Sequence, residues 1–171
     1  MSSSTEEHFL AASAEYQKTF GDKGSLATPP VKKLIVVTCM DSRINVVAHL
    51  GLKEGDAHII RNAGGSAKDA LRSIIVSQRM LGTREIAVFH HTQCGMLSVT
   101  TDQIRKTVKD SDPQNDALKA VNNIDFLEFS DLEGSVKKDV EFLKENPLVL
   151  KETKVTGWVY EVETGKIRRI V

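Results

Sequence analysis

Residues 34–43 read Leu34-Ile35-Val36-Val37-Thr38-Cys39-Met40-Asp41-Ser42-Arg43, and their order decides the fold. The first four are apolar and mostly β-branched, the composition of a short buried strand. The run stops at a thiol, a carboxylate and a guanidinium set at alternate positions, Cys39, Asp41 and Arg43. A second stretch repeats the plan: Ile86-Ala87-Val88-Phe89 leads into His90-His91-Thr92-Gln93-Cys94-Gly95. Two strands that each end in soft ligands predict that the ends meet and hold one metal ion.

Working outward, the chain alternates strands with helices. Val46 to Leu50 reads as a short helix stopped at Gly51, and Ala57 to Ile60 as a strand. Arg61-Asn62-Ala63-Gly64-Gly65 follows, either a plain strand-to-helix turn or a loop whose amides face the site. Ala67 to Leu81 is the clearest helix, with Ser66 as cap, Asp69 at the capping-box position and Gly82 as stop. A helix is expected from about Ser98 to Lys109, whereas residues 110–129 show no clear period. Ser130 and Glu133 then suggest a capping box for a helix with Leu132, Val136, Val140 and Leu143 on one face. The end reads as a hairpin, Val155 to Glu161 and Lys166 to Ile170 around Thr164-Gly165. Ahead of everything, residues 6–20 can form an amphipathic helix with Phe9, Ala12, Tyr16 and Phe20 on one face, docking on its own domain or on a partner.

This order predicts a single α/β domain: a mainly parallel central β-sheet flanked by helices, an N-terminal helical arm and a C-terminal β-hairpin. Residues 1–30 are read as arm and linker, and 31–171 as the metal-binding domain. Chemistry in such sheets gathers at the carboxyl ends of the strands, where both ligand clusters lie.

Composition narrows the partners. Lysine plus arginine and aspartate plus glutamate each number 23, interspersed, for zero formal charge. Nucleic-acid binding and a polybasic membrane surface both need concentrated positive charge, so neither is expected. The opening MSSSTEEHFL has neither the basic nor the apolar region of a secretory signal, and a cytoplasmic protein is expected. Cys39 and Cys94 are the two cysteines. A reducing compartment disfavours a disulfide between them, and each stands beside another ligand type.

Zinc favours thiolate and imidazole, and catalytic sites commonly leave one position open. Cys39, His91 and Cys94 form such a set. His90 competes with His91, but along a strand it points to the opposite face, so a core or surface role is expected for His90, as for His8, His49 and His58. Asp41 either closes the site as a fourth ligand or is held away by Arg43 through a bidentate bond. In the second case it accepts a hydrogen bond from a metal-activated water, whose pKa zinc lowers from ~15.7 to about 7. Two thiolates make a weaker Lewis acid than two imidazoles, so a rate still rising above neutral pH is expected.

Together, Cys39-Met40-Asp41-Ser42-Arg43, the Arg61–Gly65 loop and His91-Thr92-Gln93-Cys94-Gly95 resemble the β-class carbonic anhydrases, in order and spacing from about Val31 to Gly95. The resemblance implies zinc on Cys39, His91 and Cys94, with Asp41 and Arg43 as catalytic dyad. It also implies a homodimer or dimer of dimers whose N-terminal arm reaches over the partner. One departure stands out. Many members carry a glutamine nine residues before the first cysteine, and here that position is Pro30. Pro30 and the short chain resemble a compact subgroup that also includes carbonyl sulfide hydrolases. The leading expectation is reversible hydration of carbon dioxide, with carbonyl sulfide hydrolysis as the alternative. A structural or regulatory zinc protein, closed by Asp41, is the third.

Overall fold

The structure is a computed structural model and describes residues 4–171. The first three residues of the expected arm therefore lie outside the described residues. Five strands form one sheet: β1 (Leu34–Cys39), β2 (Ala57–Asn62), β3 (Glu85–His91), β4 (Lys154–Tyr160) and β5 (Ile167–Arg169). Their order is β2-β1-β3-β4-β5, parallel except for the antiparallel β4–β5 hairpin. The apolar runs of β1 and β3 are neighbours because both need burial on two faces, and the centre of the sheet provides it. Pairing of Thr38 with Phe89 brings their carboxyl ends level.

Helices α3 (Ala67–Leu81) and α5 (Leu132–Glu145) cover one face through Ile74, Val140 and Leu143, packed on Ile35, Val37, Ile86 and Val88. Helix α5 lies against the sheet at Gly157, where any Cβ would come within 2.5 Å of Val136. The other face is covered by the short α2 (Val46–Leu50) and its flanks, where Ile44 and Val46 meet Phe89 and Tyr160. Phe89 also stacks on Trp158, with ring centroids 5.8 Å apart.

Several expectations are corrected in detail. Ser130 does not cap α5: the cap position is Asp131, and its side chain makes no capping hydrogen bond. Helix α4 (Thr101–Asp110) starts later than Ser98, because Thr100 and Gln103 form a capping box there and residues 95–97 are a 3-10 turn. The unpatterned stretch holds a 3-10 segment, Asp116–Asn123, then an irregular run to Phe129, whose amide donates to the Met96 carbonyl. Helix α1 (Thr5–Gln17) ends before Phe20, and none of its side chains is buried. It touches the body of the protein through Tyr16, whose hydroxyl donates to Glu54, while Lys23 just beyond it pairs with Glu54 at 2.7 Å. Pro30 is buried just ahead of β1.

Candidate metal centre

Strand alternation sorts the two histidines. His91 shares a face with Ala87 and Phe89, and His90 shares one with Ile86 and Val88. His90 points toward α5, with Nδ1 2.7 Å from Ser135 Oγ and Nε2 donating to Asp139 Oδ2 at 3.1 Å. It is a satisfied core residue. His91 comes together with Cys39 and Cys94, all three buried, with their ligand atoms within 4.8 Å of one another.

The His91 ring is oriented for a metal. A carbonyl only accepts, so the 2.8 Å contact to Thr92 O fixes the proton on Nδ1. Nε2 then carries the lone pair, and it is buried without a hydrogen-bond partner. An orphaned nitrogen beside two sulfurs is the donor set that zinc favours, so these residues fit the ion. The sulfurs stand 4.0 Å apart, about twice a disulfide bond, and both cysteines are free.

Charge at the sulfurs is divided unequally. The Cys94 thiol donates to Cys39, burial opposes ionisation, and His91 and the amides of Asp41 and Gly64 assist it. The net effect pulls Cys39 down to about 4. Cys94 is pushed up, because it gives its proton to that contact and is itself buried. Ionisation is thus favoured at Cys39 and opposed at Cys94. Burial pushes His91 down, but the adjacent Cys39 sulfur, the Thr92 carbonyl and Asp41 outweigh it and raise it overall.

The Gly64 amide is among the groups that lower the Cys39 thiol, which favours the reading of a loop whose amides face the site. Gly64 and Gly65 have φ of 78° and 74°, in the left-handed region. A Cβ on Gly65 would meet Cys39 N, Thr38 C and Phe89 O at 2.9 Å, so the loop lies directly on the backbone of both ligand strands. Sequence reasoning gave Arg61 no separate role. Its guanidinium donates to the carbonyls of Cys39, Ile44 and Asp41, at 2.9, 3.1 and 2.5 Å, and so fixes the turn that carries the site. An arginine three residues ahead of paired glycines was the available signal.

Asp41 and Arg43 form the expected fork. Arg43 Nε donates to Oδ1 at 3.0 Å and Nη2 to Oδ2 at 2.7 Å, with the Arg43 amide also on Oδ1 at 2.9 Å. This guanidinium holds the Asp41 carboxyl well below the usual carboxylate range. Asp41 Oδ2 stands 3.8 Å from His91 Nε2, which places the carboxylate at the edge of the ligand cluster.

Comparison with known proteins places the chain in a family. The carbonic anhydrase family's sequence model matches residues 34–167. Beta-carbonic anhydrase 1 of Mycobacterium tuberculosis is 39% identical over 165 residues, 96% of each chain. A carbon disulfide hydrolase of Acidithiobacillus thiooxidans is 34% identical over 174 residues, covering 93% of this chain and 87% of that one. The solved carbonic anhydrase of Glaciozyma antarctica is 52% identical, with a TM-score of 0.91 over 94% of this chain and 95% of that one. A family match over most of the chain, joined to full-length relatives and a superposable fold, shows that the chain belongs to the β-carbonic anhydrase family.

Proposed function

We propose that the chain catalyses the reversible hydration of carbon dioxide to bicarbonate at a zinc ion held by Cys39, His91 and Cys94. The observation that carries this reading is the orphaned His91 Nε2, buried beside two sulfurs and 3.8 Å from a carboxylate already engaged by arginine. When bound, zinc supplies the Lewis acidity that activates water near neutral pH. Every other part of the work falls to the chain. Arg43 takes both oxygens of Asp41, which favours three protein ligands over four and leaves room for water and substrate. Asp41 stays ionised across the working range, so it accepts and orients a hydrogen bond but does not store the released proton. That proton passes to buffer. The Thr92 carbonyl keeps His91 in the ligating tautomer throughout.

Relatives described as carbon disulfide hydrolases favour a second reading, hydrolysis of carbonyl sulfide with release of hydrogen sulfide and carbon dioxide. One zinc-loaded preparation separates the two. Stopped-flow proton release with carbon dioxide is expected to exceed the buffer rate by several orders of magnitude, with little sulfide from carbonyl sulfide. Sulfide release as the faster reaction would replace the first reading by the second. Stoichiometric zinc with neither activity would leave a structural zinc protein.

We also read α1 as docking on a second copy of the chain. Its Phe9 and Leu10 are 65% and 67% exposed, and its own body leaves them uncovered. Light scattering is expected to give at least a dimer, and deletion of residues 1–20 to weaken it.

A further inference from the structure

Glu163 lies in the turn between β4 and β5, far along the chain from the Asp41–Arg43 pair, yet a continuous set of hydrogen bonds joins them. Its Oε1 accepts from Gln93 Nε2 at 2.8 Å, and its Oε2 accepts from Thr92 Oγ1 at 2.5 Å. The same Thr92 hydroxyl accepts from the Val162 amide at 3.0 Å, which ties the turn to the end of β3. Gln93 passes the link on. Its Oε1 accepts from Arg43 Nη1 and its main-chain carbonyl from Arg43 Nη2, both at 3.2 Å.

Two features mark this as more than a surface tangle. Gln93 has φ of 53°, a left-handed conformation that non-glycine residues rarely adopt unless their surroundings impose it. In it, the Gln93 carbonyl and its side-chain amide oxygen both meet the guanidinium. Second, a carboxylate only accepts. Facing Glu163, the Gln93 amide must turn its NH2 toward that carboxylate and its oxygen toward Arg43. Arg43 is then gripped on two sides, with Asp41 on Nε and Nη2 and Gln93 on Nη1 and Nη2.

We propose that Glu163 and Gln93 are positioning residues for the dyad: Glu163 sets the polarity of the Gln93 amide, and Gln93 locks Arg43 in the orientation that withholds Asp41 from the metal. The C-terminal hairpin thereby becomes part of the catalytic apparatus. The inference rests on the hydratase reading for its kinetic consequence, but not for its structural one.

The test reverses the polarity. In Glu163→Lys the ammonium donates to Gln93 Oε1, and the amide turns its NH2 on Arg43. With hydrogen bonds to charged groups at stake, kcat is expected to fall about tenfold in Glu163→Lys and no more than about threefold in Glu163→Gln, with KM little changed. Glu163→Gln is the conservative variant because its amide oxygen still accepts from Gln93 Nε2. Two readouts do not depend on turnover. In the metal-free chain, solvent exchange of the Arg43 Nε proton, followed by nitrogen-15 NMR, should be several-fold faster in Glu163→Lys. In the zinc-loaded chain, a chelator should withdraw the ion more slowly, because Asp41 is freed to act as a further ligand. Gln93→Leu, which keeps the volume and removes the amide, repeats the exchange measurement should Glu163→Lys fail to fold. Unchanged Arg43 exchange in a folded variant overturns the proposal. Faster exchange in a chain whose wild type hydrates no carbon dioxide upholds the positioning and removes the hydratase reading instead.

Discussion

His90 and His91 are neighbours in sequence, and both are almost fully buried, 2% and 1% exposed. They differ in what surrounds them. His90 has a partner on each ring nitrogen, Ser135 and Asp139, and Phe129 stacks on its ring at 5.1 Å. It joins β3 to α5, and through the Asp139 carboxylate, which also accepts from the Ala67 amide at 2.8 Å, to the start of α3. His91 has one nitrogen satisfied and the other facing sulfur. Burial does not separate a structural histidine from a ligating one. An unpaired nitrogen set beside two sulfurs does, because leaving a buried polar atom without a partner costs on the order of 1–3 kcal/mol, and a metal held with Cys39 and Cys94 would recover it.

The contrast breaks first at the metal. His91→Ala is expected to lose zinc and, with it, about 10³-fold or more of the rate, since the Lewis acid goes with the ligand. His90→Ala is expected to keep one zinc per chain by elemental analysis. A folded His90→Ala protein without zinc would erase the distinction. Next in size is the glycine that lets the loop lie against both ligand strands. Gly65→Ala places a methyl against backbone in a left-handed conformation, a loss of about 3 kcal/mol or more in urea unfolding. Asp41→Asn is expected to lower the rate about 10²-fold while zinc stays bound, the mark of a hydrogen-bond acceptor that orients the reacting water and not of a ligand. His90→Ala, by contrast, is expected to cost about 2 kcal/mol of stability, from a cavity and two lost hydrogen bonds.

The smallest effect sharpens the sulfur side. Cys39 lies at about 4 against an ordinary 9.0, while Cys94 is raised from the same value. Between these limits the folded metal-free chain binds fewer protons than the unfolded one. Its stability should therefore rise with pH over that interval and be lost as pH falls through about 4. Above 9 the raised Cys94 opposes any further gain. Zinc binding at pH 8 should release at least the Cys94 proton, measurable by calorimetry in buffers of different ionisation enthalpy.

Much of this was legible in residues. Alternating element types gave the parallel sheet, and the two apolar runs ending in ligands placed Cys39, His91 and Cys94 at its carboxyl edge. Strand period, with the longer spacing to Cys94, set His90 aside. The illegible parts depend on contacts distant in sequence. That Asp131 and not Ser130 opens α5, or that the irregular run 124–129 packs Phe129 beside His90, follows from packing that overrides local propensity. Gln78 and Ser77 of α3 are buried polar residues that no hydrophobic pattern marks. Gln78 bonds Thr153 and the Leu150 amide, and Ser77 bonds His58 and Thr83. The helper residues Arg61, Gln93 and Glu163 escaped for the same reason, since their meaning lies in the carbonyls and amides that the fold brings to them.

The pairing of Thr38 with Phe89 has one more consequence, for how the chain arrives at this structure. Parallel strands joined by a long crossover pair slowly, and a slip of one residue turns every side chain of a strand to the other face. In this chain such a slip would still present an imidazole, His90 in place of His91, so hydrophobic collapse alone tolerates the error poorly but does not forbid it. Cys94 would be carried off by about 3.3 Å, far outside the tolerance of a coordination bond. A metal held by Cys39, His91 and Cys94 would favour the native register over the slipped one, since only the native register brings all three together.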